Sequence, residues 1–143
     1  MPTRTAEAVW SGSLMEGKGQ LSVGSKAFSG SYDWKGRSGD GAGTNPEELL
    51  GAAHAGCFSM ALSHQLAQAG HPPTRVHTTA KVSFEKQAEG FAITKIDLAC
   101  EAQVPGIDEA TFQKLANGAK EGCPVSKALK ATPINLTAKL VRG

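Results

Sequence analysis

Residues 43–62 read GTNPEELLGAAHAGCFSMAL, and this segment predicts the start of a helix that two glycines, Gly51 and Gly56, weaken. Asn45 is a favourable helix N-cap, Pro46 suits the first helical position, and the two glutamates that follow suit the positive end of the helix dipole. The pattern predicts a helix from Pro46 to about Ala69, after which a glycine and a Pro-Pro pair occur. Apolar residues lie nearly all round this helix, which is typical of a core or an oligomer interface.

The segments on either side of this helix predict strands and shorter helices. A flexible loop with four glycines, residues 35–44, precedes it. Asp108 is a good N-cap for an amphipathic helix that reaches Cys123, and Pro124 can begin another short helix. Together the elements predict a single α+β domain, residues 1–143, with mostly antiparallel strand pairing. The predicted strands are residues 5–11, 20–23, 27–34, 75–86, 91–104 and 134–141.

The composition argues against several classes of partner. The chain has 15 basic and 13 acidic residues, a net charge of +2, and only two Trp, one Tyr and five Phe, so it lacks the basic stripe of a nucleic-acid-binding protein. The most apolar stretch, residues 49–62, is shorter than the ~20 residues that span a bilayer. The first seven residues lack the apolar segment of a secretory signal. We therefore expect a cytoplasmic protein with no nucleic-acid partner and no membrane partner.

Three cysteines are the candidates for chemistry, because a cytosolic chain rarely keeps structural disulfides. Cys57 lies in a run of small residues, where it is either a buried small hydrophobe or a reactive thiol. If the neighbouring Gly56 breaks the helix, Cys57 begins a new helix, whose free amides favour the nucleophilic thiolate. Cys123 is either a helix-end core residue or a partly accessible thiol. Cys100 lies within a predicted strand, and we expect it to be a core residue without a chemical role.

The residues alone leave other kinds of site open. His54 and Cys57 have a spacing that places two metal ligands on one helix face, with Cys123 and His64 as further candidates, but the chain has no C-x-x-C motif. A Cys–His pair for acyl transfer is possible with His54 or His64. His64 follows Cys57 at about 10 Å along a helix, too far for direct proton transfer. A non-catalytic small-ligand-binding protein is the remaining alternative.

Two segments of the chain resemble the signatures of the OsmC/Ohr family, the osmotically inducible and organic hydroperoxide resistance proteins. The first is the segment at residues 43–62, and the second is GCPVSKALKA at residues 122–131. Both are closer to the OsmC branch, since the Ohr branch tends to have a tyrosine at the position of His54. Lesser motifs, FAITKI at residues 91–96 and VPGID at residues 104–108, extend the resemblance over the whole chain.

The resemblance implies a cysteine-based peroxidase that reduces alkyl or lipid hydroperoxides better than hydrogen peroxide, in the response to oxidative or osmotic stress. Cys57 would be the peroxidatic cysteine, which becomes a sulfenic acid, and Cys123 the resolving cysteine, which forms a disulfide with it. Glu47 and Arg37 would be the glutamate and the arginine that the family uses. A dithiol reductant, either a small molecule or a lipoylated protein, would reduce the disulfide, and neither a metal nor a cofactor is implied.

The fold implied by the resemblance is an intertwined homodimer, with antiparallel sheets around long central helices and active sites at the subunit interface. On a straight helix, Glu47 and Cys57 are about 15 Å apart along the axis, too far for one arginine to touch both easily. We therefore predict either a break or sharp kink at residues 51–56, or a second subunit that supplies one of the groups. The side chains expected to line a pocket for an alkyl group, with residues of the partner subunit, are Phe58, Met60, Leu49 and Leu50.

Overall fold

The computed structural model of the chain describes residues 2–142. Contacts between Cα atoms divide the chain into two compact units, one up to Leu49 and the other from Leu50. The elements in chain order are β1 (Ala6–Ser11), β2 (Lys18–Val23), β3 (Ser29–Tyr32), α1 (Trp34–Ser38), α2 (Pro46–Gln68), β4 (Arg75–Gln87), β5 (Gly90–Gln103), α3 (Glu109–Gly122), α4 (Pro124–Ala128) and β6 (Ile134–Leu140).

The first unit is built on an antiparallel sheet in the order β1-β2-β3. Trp10 on β1 packs against Tyr32 on β3, with the ring centroids 5.3 Å apart. Gly19 on β2 lies beside both rings, and a Cβ atom there would clash with the Tyr32 ring and lie 2.7 Å from the Trp10 ring. The absence of a side chain at Gly19 therefore permits the aromatic contact across the three strands.

The structure corrects the prediction of a flexible loop at residues 35–44. The first residues of that segment belong to α1, because Asp33 caps this helix by accepting a hydrogen bond from the Gly36 N–H group at 2.7 Å. The third predicted strand is correspondingly shorter and ends at Tyr32. As a result, Arg37 lies on a turn of helix and has a defined backbone conformation.

Helix α2 is continuous from Pro46 to Gln68, so the predicted break at residues 51–56 is wrong. A glycine within a helix lowers its stability by only about 1 kcal/mol. Packing outweighs this effect, since Phe58, Leu62 and Leu66 are completely buried. Full burial of each such side chain contributes roughly 1.5–3 kcal/mol.

The second unit contains a sheet in the order β4-β5-β6. Strands β4 and β5 are antiparallel, with an irregularity between Ser83 and Phe84, and β6 runs parallel to β5. Asp108 caps α3 as predicted, and its carboxylate accepts a hydrogen bond from the Thr111 N–H group at 2.9 Å. The core joins α2, β5 and α3 through Phe58, Leu62, Leu66, Ile96, Leu98, Cys100, Ala102, Val104, Phe112, Ala116 and Ala119.

These elements confirm the predicted α+β class with mostly antiparallel pairing. Cys100 lies in the core, as expected of a strand cysteine. No helix in residues 2–142 combines the length and the apolar character that crossing a membrane requires.

Candidate active site

Two cysteines that are far apart in sequence meet in the second unit. Cys57 lies on α2, and Cys123 lies at the junction where α3 ends and α4 begins. Their thiols interact through a hydrogen bond, and both are in the reduced form. Cys57 is partly exposed, whereas Cys123 is completely buried. Of the two interacting thiols, Cys57 is therefore the one that a solute can approach.

The surroundings of this pair favour negative charge on Cys123. Burial raises the pKa of Cys57, the interaction with Cys123 raises it further, and the Val125 N–H group offsets only part of this. Burial also acts to raise the pKa of Cys123, but the Cys57 thiol, the backbone and hydroxyl group of Ser126 and the Val125 backbone outweigh it and lower that pKa. Two thiols that share a hydrogen bond titrate as a pair. Within this unit, the pair therefore loses its first proton mainly on the Cys123 side.

The origin of the amide donors differs from the sequence prediction. Cys57 does not begin a new helix after Gly56, because α2 continues through it. The amides belong to the first turn of α4, for which Cys123 is the N-cap residue and Pro124 the first helical residue. The backbone N–H groups at such a position lack partners within the helix and favour negative charge nearby, although the Cys123 side chain makes no capping hydrogen bond.

Arg37 and Glu47 form an ion pair in the first unit. Arg37 Nη2 and Nε donate to Glu47 Oε1 at 2.8 Å and 3.0 Å, and Nε also lies 3.3 Å from Oε2. Glu47 is buried at 6% exposure, so its carboxylate fixes the plane of the guanidinium group. The adjacent Glu48 is exposed and accepts a hydrogen bond from Thr44 Oγ1 at 2.7 Å. The structure thereby distinguishes two glutamates that the sequence pattern left equivalent.

His54 and Ser126 form a second buried pair, which the sequence analysis missed. His54 Nε2 lies 2.7 Å from Ser126 Oγ, and the two residues are 0% and 4% exposed. His54 Nδ1 has no hydrogen-bond partner among the described residues, and burial lowers the pKa of the imidazole. The only sequence signal was spacing, since His54 precedes Cys57 by three residues and Ser126 follows Cys123 by three.

The expected pocket for an alkyl group is wrong in one respect. Phe58 is completely buried in the core and is inaccessible to a ligand, whereas Met60 is 76% exposed. Leu49 and Leu50 are half-buried. The first unit instead contains an open cavity of about 290 Å³ beside the arginine, lined by Trp10, Leu14, Tyr32, Asp33, Trp34 and Arg37.

The residues weighed for a metal or for acyl transfer are arranged differently. No three His, Cys, Asp or Glu side chains in residues 2–142 are grouped so that they could hold a metal ion. His64 is exposed on α2. His54 Nε2 faces the Ser126 hydroxyl, so that nitrogen is already engaged.

These features define a class of protein: an α+β chain with a paired accessible and buried cysteine. The family model described as OsmC-like protein matches residues 39–139. The chain is 51% identical over 129 residues to Peroxiredoxin OsmC of Escherichia coli (strain K12), with 90% of each chain covered. It is 36% identical over 101 residues to the organic hydroperoxide resistance protein of Xanthomonas axonopodis pv. citri (strain 306), covering 70% of this chain and 68% of the relative. The chain belongs to the OsmC-like protein family.

Solved structures agree with this assignment. An organic hydroperoxide resistance protein OsmC from Legionella pneumophila superposes with a TM-score of 0.68 at 26% identity, covering 95% of this chain and 96% of the other. The organic hydroperoxide resistance protein OhrB of Bacillus subtilis gives a TM-score of 0.68 at 25% identity, with 96% and 98% covered. The predicted OsmC-like fold is therefore confirmed.

Proposed function

We propose that this protein is a thiol-dependent peroxidase that reduces organic hydroperoxides to alcohols in the response to oxidative or osmotic stress. The observation that carries the proposal is the contact between the partly exposed thiol of Cys57 and the buried thiol of Cys123. An accessible thiol with a second thiol behind it suits oxidation followed by disulfide closure. The names of the relatives, Peroxiredoxin OsmC and organic hydroperoxide resistance protein, support the same activity.

The reaction requires two steps at sulfur. The Cys57 thiolate attacks the terminal oxygen of the hydroperoxide, the O–O bond breaks, and the alkoxide takes a proton and leaves as the alcohol. Cys57 is then a sulfenic acid. The Cys123 thiolate attacks the sulfur of that sulfenic acid, the S–O bond breaks, and hydroxide takes a proton and leaves as water. A dithiol, either a small molecule or a lipoylated protein, returns two electrons and two protons by thiol–disulfide exchange.

Arg37 and Glu47 enter the proposal as the groups that activate the first step. A guanidinium beside the Cys57 sulfur favours the thiolate and donates to the oxygen that develops charge. Such a cation also reverses the preference for charge on Cys123 that the second unit creates by itself. Because α2 does not break, we place the completed site in a homodimer, in which a second copy of the chain closes it.

The exposed face of α2 supports a second copy of the chain as partner. Ala52, Ala53 and Gly56 are exposed small residues on this helix, and a Cβ atom at Gly56 would meet nothing within 4 Å. Met60, also on this helix, is 76% exposed. Small residues permit close approach of another backbone, and an exposed apolar residue favours burial. A cytoplasmic location, where dithiols are kept reduced, fits the proposed chemistry.

Consumption of an alkyl hydroperoxide in the presence of a dithiol tests the function. We expect activity in the wild type and in Cys100→Ser, and its loss in Cys57→Ser and Cys123→Ser. After one equivalent of peroxide, the intact mass of the wild type is expected to show the loss of two hydrogens. The masses of Cys57→Ser and Cys123→Ser should not show this loss. Normal turnover by Cys57→Ser would overturn the proposal.

A further inference from the structure

We propose that His54 and Ser126 are positioning residues that direct the Ser126 hydroxyl proton onto the Cys123 sulfur and so set the rate at which Cys123 resolves the sulfenic acid. The inference rests on the proposed function for its place in the reaction. The arrangement of the two residues is independent of that function.

The hydrogen bond between the two residues is shielded from water. His54 Nε2 and Ser126 Oγ are 2.7 Å apart, and the two residues are 0% and 4% exposed. Ser126 lies in the first turn of α4, which Cys123 caps, and its hydroxyl is also within hydrogen-bonding reach of the Cys123 sulfur. The serine oxygen thus links the imidazole on α2 to the thiol at the start of α4.

Which of His54 and Ser126 donates the hydrogen bond between them follows from the number of hydrogens that each side chain carries. A serine has one hydroxyl hydrogen, which goes either to His54 Nε2 or to the Cys123 sulfur. Burial keeps His54 neutral, so only one ring nitrogen carries a hydrogen. If that hydrogen were on Nδ1, it would be a buried donor without a partner among the described residues. The hydrogen therefore belongs on Nε2, which donates to Ser126 Oγ.

With Nε2 as donor, the Ser126 hydroxyl is free to donate to Cys123. The serine oxygen accepts from the imidazole and passes its own hydrogen to the sulfur, which stabilises the thiolate of Cys123. The titratable groups that this link faces are the two thiols, Cys57 from α2 and Cys123 from the junction of α3 and α4. Among residues 2–142, burial is the cause of the lowered pKa of His54, and no charged side chain contributes to it.

The hydrogen-bonded link from His54 through Ser126 acts on Cys123 and not on Cys57, so it affects only one of the two reaction steps. Peroxide attack depends on Cys57, whereas disulfide closure depends on the fraction of Cys123 present as thiolate. Loss of the hydroxyl at residue 126, or of the donor at residue 54, should therefore slow the second step without slowing the first.

The first test uses Cys123 as the single thiol. In the Cys57→Ser, Cys100→Ser background, the ultraviolet absorbance of the thiolate gives the apparent pKa of Cys123. We expect Ser126→Ala and His54→Leu each to raise it by about one unit, a tenfold loss of thiolate at a given pH. His54→Gln, whose amide N–H group can replace Nε2–H, should restore most of it. An unchanged Cys123 pKa in Ser126→Ala would overturn the inference, whether or not the protein is a peroxidase.

The second test follows the two steps in the chain with all three cysteines. Stopped-flow kinetics with one equivalent of alkyl hydroperoxide separates oxidation of Cys57 from disulfide formation. We expect disulfide formation in Ser126→Ala to be about tenfold slower, with its pH profile displaced to higher pH, and trapping of the sulfenic acid by dimedone to increase. If Ser126→Ala slowed the oxidation step instead, the assignment to Cys123 would be wrong. Ser126→Ala removes one atom, so the test does not depend on whether His54→Leu folds.

Discussion

The Glu47 carboxylate holds the guanidinium group of Arg37 through two of its nitrogens, Nη2 at 2.8 Å and Nε at 3.0 Å. The carboxylate is nearly buried and the arginine side chain is 35% exposed, so the glutamate is the fixed partner. A carboxylate that binds both nitrogens restricts the rotation of the guanidinium plane, which a single contact would not. The ion pair therefore presents the cation of Arg37 in one orientation.

Loss of the Glu47 charge should slow peroxide attack. Glu47→Gln keeps the shape of the side chain but weakens the hold on Arg37. We expect the rate constant for oxidation of Cys57 to fall by about 10–100-fold, less than the ~100–1,000-fold cost of losing a preorganised donor, because the arginine itself remains. Glu48→Gln is the matched control, because it removes the same charge from the neighbouring exposed residue. Competitive kinetics with a hydroperoxide measures both. Equal oxidation rates in the two variants would show that Glu47 has no role in the reaction of Cys57.

Dimer formation through α2 should depend on Met60. Met60→Glu places a charge on the exposed face of the helix, and we expect association to weaken by about 100-fold, equivalent to roughly 2.7 kcal/mol. Met15→Glu is the control, since Met15 is 71% exposed but lies outside α2, while Met60 is 76% exposed. Light scattering over a dilution series gives the oligomeric state of each.

The same variants test whether the dimer is needed for activity. We expect peroxidase activity to fall in Met60→Glu as the protein becomes monomeric, and to persist in Met15→Glu. A fully active monomer would show that a second copy does not contribute to the site.

Burial of neutral His54 should make folding sensitive to acid. The folded-state pKa of His54 lies below its ordinary value of 6.5. Above pH 6.5 the imidazole is neutral in both states and adds no pH dependence. As the pH falls below 6.5, only the unfolded state takes up the proton, so the free energy of unfolding decreases by at most about 1.4 kcal/mol per pH unit from this residue.

Urea unfolding at several pH values measures this contribution. His54→Gln cannot titrate, so its free energy of unfolding should decrease less between pH 6.5 and more acidic conditions than that of the wild type. Parallel pH dependence in the two proteins would show that His54 titrates normally when folded. His64→Gln is the control, because His64 is an exposed histidine on the same helix.

Cys100 should behave as a structural residue whose buried thiol makes the free energy of unfolding decrease at alkaline pH. Burial raises the pKa of its thiol above the ordinary value of 9.0. As the pH rises through 9.0, the unfolded state loses this proton first, so the free energy of unfolding falls. In Cys100→Ala, the free energy of unfolding is expected to lose this decrease at alkaline pH. Peroxide turnover should stay within about twofold of the wild type, because a substitution in the core mainly affects stability. Denaturation and activity assays at neutral and alkaline pH check both parts, and a lost turnover would give Cys100 a chemical role.

The helices show how far local patterns predicted this fold. The N-cap at Asp108 and the start of α2 at Pro46 follow from residues within one helical turn, and both lie where predicted. The predicted break in α2 is wrong because a glycine penalty is local, whereas the burial of Phe58 that opposes it depends on the whole core. Helix α1 was not predicted, because the four glycines of residues 35–44 indicated a flexible loop.

Local patterns in the chain were enough to predict the α+β class, the positions of most elements and the two cysteine segments, because caps, periodicity and motifs are short-range properties. The resemblance implied the pairs Cys57–Cys123 and Arg37–Glu47, and the folded chain brings the members of each pair into contact. That β6 runs parallel to β5 had no signal in the sequence and follows from the folded structure alone. The folded structure also joined His54 to Ser126. Each of these relationships links residues on different elements, and packing selects such partners after the local structure has formed.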